Sequence, residues 1–89
     1  MVEKQTKLIN LRGLHARAAS KLVNTASAFG SSITVEKDGK EADAKSIMAV
    51  MMLAAAKDHQ LTIKATGSDE EAALDAVLAL IEDKFGEEE

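Results

Sequence analysis

The stretch QLTIKATGSDEEAALDAVLALI, residues 60–81, changes its hydrophobic period half-way along. From Gln60 to Thr66, Leu61, Ile63 and Ala65 alternate with polar residues, the period-two pattern of a half-buried strand. Gly67 breaks the alternation, and Ser68-Asp69-Glu70-Glu71 then offers a Ser-x-x-Glu capping box. Behind the box, Ala73, Leu74, Val77, Leu78, Leu80 and Ile81 recur at helical spacing and make a broad apolar stripe. A one-sided strand followed by a one-sided helix asks for a layer of helices on a sheet, since neither apolar face can be left in water.

Moving towards the N-terminus, a second helix is predicted from Ser46 to about Ala56, with Ser46 placed to cap the free amides of its first turn. Ile47, Met48, Val50, Met51, Met52 and Leu53 make it apolar nearly all round, whereas a surface helix needs only one buried stripe. Ser32 to Lys37 alternates Ile33 and Val35 with polar neighbours, Asp38-Gly39 is a type I′ hairpin signal, and Lys40 to Asp43 can return. In the segment before it, Ala19, Leu22, Val23, Ala26 and Phe29 mark a helix over about Ala16 to Ala28, with Gly30 as its stop. Val2 to Ile9 completes the set as a strand on a mostly polar pattern ending in Leu8 and Ile9. The order βαββαβα gives an α+β fold, with a four-stranded, largely antiparallel sheet covered on one face by three helices. Residues 1–89 read as a single domain, because nothing in the chain marks a linker, a repeat or a low-complexity tract.

Composition narrows the function classes. A chain of 89 residues buries roughly 60 to 65% of its unfolded surface, enough for one thin core. Hydrophobic residues at 46% against 29% charged are those of an ordinary folded domain. There is no cysteine, which excludes a disulfide framework and a thiolate metal site and fits a cytoplasmic protein. Met1 to Lys7 is polar and no run approaches the ~20 apolar residues of a membrane span, so neither signal peptide nor anchor is expected. A net charge of -4 and 2% aromatic residues argue against nucleic acid as a partner. Charge is nevertheless uneven: Arg12, Arg17 and Lys21 surround His15, while Glu82, Asp83, Glu87, Glu88 and Glu89 make an acidic tail.

His15 follows Gly13-Leu14 and directly precedes the first helix, where several backbone amides have no intrahelical partner. Those donors and the positive end of the macrodipole stabilise a nearby anion by about 0.3 to 1 kcal/mol. The same field disfavours imidazolium, so a neutral ring with a nucleophilic nitrogen is expected, able to carry a phosphoryl group. The amides of Ala16 and Arg17 and the planar fork of the Arg17 side chain are the candidate ligands for phosphoryl oxygens. Gly13 lets the backbone turn sharply beside the ring. A lone histidine at a helix start is more often a solvated or capping residue than a catalyst, and the spacing alone leaves that choice open. His59, in the polar turn before the last strand, is expected at the surface, and no metal site is expected.

Gly13-Leu14-His15-Ala16-Arg17-Ala18-Ala19, together with Lys45-Ser46-Ile47-Met48-Ala49-Val50-Met51, resembles the histidine phosphocarrier family of the bacterial phosphotransferase system, HPr with its nitrogen-branch relative NPr. The resemblance covers essentially the whole chain in length and element order. It implies an open-faced β-sandwich whose histidine, matching His15, is phosphorylated on Nδ1 by enzyme I, which draws on phosphoenolpyruvate. The group then passes to a IIA component, with the arginine matching Arg17 supporting it. Ser46 matches the residue used in some bacteria by an ATP-dependent HPr kinase. The family's usual motif has proline where this chain has Ala18; alanine keeps the helix and returns one backbone donor near the site.

The resemblance also accounts for the all-round apolar second helix. Val50 and Leu53 are expected in the core, and Ile47, Met48 and Met51 at the surface as a docking patch, where adaptable thioethers suit several partners. For Met52, core filler and surface are both open. The chain contains no nucleotide-binding glycine loop and no second acid or base in the motif, which points to a carrier rather than an enzyme; no cofactor is expected, and a monomer is. A regulatory binding module acting through the second-helix patch is the alternative, and it would need neither His15 nor Arg17. The sequence leaves the acceptor open between sugar uptake and nitrogen-related regulation.

Overall fold

The computed structural model describes residues 1–87; Glu88 and Glu89 of the acidic tail lie outside the described residues. Four strands, β1 (Val2–Lys7), β2 (Ser32–Lys37), β3 (Lys40–Asp43) and β4 (Gln60–Thr66), form one sheet in the order β1-β4-β2-β3. Every neighbouring pair is antiparallel: Val2 to Lys7 run against Ala65 to Gln60, β2 pairs β4 from Ser32↔Thr66 to Glu36↔Thr62, and β2 pairs β3 from Thr34↔Asp43 to Lys37↔Lys40. The hairpin between β2 and β3 turns on Asp38 and Gly39, both with positive φ, as a type I′ turn requires.

Central position explains which strand was easiest to read. β4 has a partner on each side, so Leu61, Ile63 and Ala65 are buried on one face while Thr62 and Lys64 face the open side. On that open face Lys64 pairs with Glu36 at 2.8 Å and Glu41 at 3.0 Å, which keeps it polar. β1 is an edge strand with one partner and mostly exposed side chains, hence its weak alternation. It ends at Lys7, two residues before the predicted limit, because the Leu8 side chain drops into the core and its backbone bonds the loop carrying His59.

Three α-helices, α1 (Ala16–Ser27), α2 (Ile47–Met52) and α3 (Glu70–Glu82), cover the apolar face. α3 lies on β4, β1 and β2, α2 meets β3, and α1 packs against α2 and α3. Ala18, Ala19, Leu22, Val23 and Ala26 of α1 and Ala73, Leu74, Val77, Leu78 and Ile81 of α3 share one core with Ile33, Val35, Leu61 and Ile63.

Two local readings are corrected. α2 stops at Met52 rather than near Ala56: Leu53 and Ala54 close tight turns onto the Val50 and Met51 carbonyls, and Ala54 is left-handed at φ 51°. Leaving the helix frees the Ala55 carbonyl, which accepts the Leu14 amide at 3.0 Å. The Ser68–Glu71 capping box does not form either. α3 is capped at Asp69, whose carboxylate is drawn away to Gly30 and Ser31, and it is Glu70 that reaches back to the Gly67 amide at 3.1 Å.

Candidate functional site

The loop before α1 is tied to the segment after α2 along its length. Leu8 N donates to His59 O and Asp58 N to Leu8 O, Gly13 N closes a turn onto Asn10 O at 3.2 Å, and Leu14 N reaches Ala55 O. At the tightest point Gly13 is left-handed, at φ +64°, and a Cβ there would lie 2.5 Å from Ala55 O and 2.7 Å from the Ala56 Cα. Only glycine fits, and the close approach sets where the next residues go.

His15 is the N-cap of α1, with extended backbone at φ -74° and ψ 177°. Its carbonyl accepts the first intrahelical bond, from Ala19 N at 2.8 Å, but its side chain makes no cap hydrogen bond. The amides of residues 16, 17 and 18 precede the first intrahelical donor and are the helix's unmatched groups. An N-cap residue that leaves them unclaimed keeps the helix end available to an anion.

Two residues that sequence reasoning missed complete the surroundings of the ring. Glu87, from the C-terminal end of the described chain, accepts a hydrogen bond from Nε2 of His15 through Oε2. Its other oxygen, Oε1, accepts from Asn10 Nδ2 at 3.1 Å, and the same Nδ2 donates to Gly13 O at 2.8 Å. Burial pushes the Glu87 carboxyl up, yet the hydrogen bonds from His15 and Asn10 and the nearby Arg12 charge help to outweigh it and hold it below the usual carboxylate range. No periodic pattern marks this pair; the one clue was a polar Asn10 beside the motif.

Ala16 and Arg17 are exposed in the first turn, and Arg17 makes no hydrogen bond or ion pair among the described residues. Lys21, read as part of the positive surround of His15, spends its ammonium on Phe85 O at 2.6 Å. Ser46 is the N-cap of α2, its Oγ accepting from Ala49 N at 3.3 Å. Val50 and Leu53 are buried, while Ile47, Met48 and Met51 are exposed, and so is Met52 at 75%, which settles its open reading in favour of the surface. His59 is exposed, with Nδ1 accepting from Ala56 N. No cluster of three or more His, Asp or Glu side chains placed to hold a metal occurs among the described residues, and no helix is long and apolar enough to cross a membrane.

Residues 2–83 match the family described as "PTS HPr component phosphorylation site". The chain belongs to that family. Among its relatives, the phosphocarrier protein HPr of Cupriavidus necator is 48% identical over 89 residues, the full length of both chains. The phosphocarrier protein NPr of Shewanella violacea is 42% identical over 86 residues, 97% of this chain and 94% of that one. The crystal structure of HPr-C-His from Thermoanaerobacter tengcongensis superposes with a TM-score of 0.96 at 48% identity, covering 100% of each chain. Membership makes this a phosphoryl carrier of the phosphotransferase system, and its open four-stranded sheet under three helices is the HPr architecture.

Proposed function

We propose that His15 is the residue that carries the phosphoryl group, accepting it from enzyme I and delivering it to a IIA component. The observation that carries this reading is the half-buried imidazole standing at the uncapped start of α1. In the charged form the phosphoryl oxygens would sit against unmatched amides, with Ala16 and Arg17 the nearest in sequence, and against the exposed Arg17 guanidinium. Such a carrier contributes geometry and electrostatic support and leaves the in-line transfer to be completed by its partners, without a cofactor of its own and without turning over a free substrate.

The exposed side chains of Ile47, Met48 and Met51 are the proposed docking surface, on the helix whose exit residue Ala55 bonds Leu14. We read residues 1–89 as one carrier domain acting as a monomer in the cytoplasm, because the ring of His15 is completed by Glu87 of its own chain. Ser46 supports a regulatory role for the same surface. Its partly exposed hydroxyl adjoins Ile47 and Met48, and a phosphate there, placed by an HPr kinase, would bring about -1.5 to -2 charges onto an apolar patch and weaken docking.

The test is to incubate the purified protein with phosphoenolpyruvate and catalytic enzyme I and to read the intact mass before and after mild acid. One acid-labile phosphoryl adduct is expected, absent in His15→Ala. An adduct that persists in His15→Ala places the acceptor elsewhere. For Ser46, the Ser46→Asp variant should lose transfer from enzyme I far more than it loses stability, and unchanged kinetics would remove the regulatory reading.

A further inference from the structure

Glu87 is brought to His15 by a costly piece of chain. After α3, Lys84, Phe85 and Gly86 are all left-handed, at φ 56°, 56° and 77°, and the first two carry side chains that disfavour it. The turn is closed by Gly86 N to Asp83 O and Glu87 N to Lys84 O, both 3.0 Å, and pinned by the fully buried Phe85 ring and by Lys21 on the Phe85 carbonyl. Asn10 adds a second oddity: it is fully buried, and its Oδ1 has no hydrogen-bond partner among the described residues. Its Nδ2 faces the Gly13 carbonyl and the Glu87 carboxylate, two groups that only accept, so the amide is locked with its nitrogen towards them. An orphaned buried oxygen serves folding poorly, whereas a donor that fixes Glu87 against the loop of His15 serves the ring.

We propose that Glu87, aligned by Asn10, is a positioning residue that keeps the ring proton on Nε2 of His15 and commits the Nδ1 lone pair to phosphoryl acceptance; this rests on His15 being the acceptor. An ionised carboxylate can only accept, so the Nε2 it faces must be the protonated nitrogen. In a neutral imidazole the other nitrogen is then bare, and Nδ1 has no hydrogen-bond partner among the described residues. On acceptance the Nδ1 lone pair forms a bond to phosphorus, the donor's bond to phosphorus breaks, and its electron pair leaves with the donor. The Nε2 proton stays on the ring, which takes on a positive charge directly opposite the Glu87 carboxylate. This is the part played by the buried acid of a Ser-His-Asp triad, which orients the imidazole and faces the imidazolium that forms. Delivery to the acceptor reverses each change.

The experiment uses the full chain labelled with 15N at histidine. Ring nitrogen spectra are recorded well above the ordinary histidine pKa for the parent, Glu87→Ala and Glu87→Gln, beside the rate of phosphorylation by enzyme I and the melting temperature. The parent should show a single Nε2–H tautomer at His15. Glu87→Gln, whose amide can donate to Nε2, should shift population to the Nδ1–H tautomer and slow acceptance about tenfold, with Glu87→Ala between the two and melting unchanged in both. Identical tautomer populations in parent and Glu87→Gln overturn the proposal. So does an unchanged rate of acceptance, even if the ring spectra move. If the phosphoryl adduct instead persists in His15→Ala, it is the acceptor assignment that fails, and the spectra still judge whether Glu87 sets the tautomer.

Discussion

Helices α1 and α3 both begin just after a glycine pressed against another segment. A Cβ on Gly13 would lie 2.5 Å from the Ala55 carbonyl oxygen, and one on Gly67 would lie 2.5 Å from Ser31 Oγ. From there the two starts diverge. At α3 the N-cap carboxylate of Asp69 accepts from the amides of Gly30 and Ser31, both at 3.0 Å, and from the Ser31 hydroxyl, joining the end of α1 to the start of α3. At α1 the N-cap side chain, His15, bonds nothing in its own helix and is held by a residue from the far end of the chain. An N-cap position normally contributes about 1 kcal/mol to stability through its side chain. Neither N-cap side chain bonds its own helix: that of Asp69 joins α1 to α3, whereas that of His15 faces Glu87 beside the amides proposed to receive the phosphoryl group.

The comparison predicts where loss of function and loss of stability part. Largest is His15→Ala: acceptance from enzyme I should fall on the order of a thousandfold or more, read by the phosphoryl adduct, while chemical denaturation moves by less than about 0.5 kcal/mol. Next, Gly13→Ala and Gly67→Ala should each destabilise by about 2–4 kcal/mol in urea, through a positive φ and a Cβ with no room. The folded fraction should accept phosphate normally in the Gly67 variant and slowly in the Gly13 variant; equal rates would show that the α1 joint does not set the ring.

The third comparison uses acid. Bonds from the Ser31 hydroxyl and the Gly30 amide, opposed by partial burial, hold the Asp69 carboxyl below its ordinary value of 3.8. Because the folded value is depressed, the stabilisation is complete above that ordinary value and disappears as pH falls through the folded one. Melting of the parent should therefore exceed that of Asp69→Asn at neutral pH and converge with it in strong acid, with phosphoryl acceptance equal in the two. The smallest effect is expected at α2, whose cap is local. Ser46→Ala should cost about 1 kcal/mol in denaturation and leave acceptance by His15 unchanged.

What could be read before folding was what lies within one element. β4 and α3 were visible because the apolar residues of one element repeat at its own period, and the Asp38-Gly39 hairpin because a type I′ turn restricts which residues fit. His15 was legible as a candidate because its helix-start position needs only its immediate neighbours, and Ser46 for the same reason. β1 was faint because an edge strand buries little of either face. The over-long α2 was a failure of the same kind, since Ala54, Ala55 and Ala56 are good helix formers and the helix ends where Ala54 turns left-handed and the Ala55 carbonyl accepts the distant Leu14 N.

The sequence by itself therefore determined the element order, the one-sided burial and the candidate ring, since each follows from neighbours along the chain. Tertiary structure alone decided that β4 runs between β1 and β2, that Asp69 turns from its own helix to Ser31, and that Glu87 and Asn10 hold the ring. The physical reason is distance along the chain: His15 and Glu87 stand 72 residues apart, and a hydrogen bond between single side chains that far apart leaves no period for a sequence to show. It exists only once the core has fixed both ends in place.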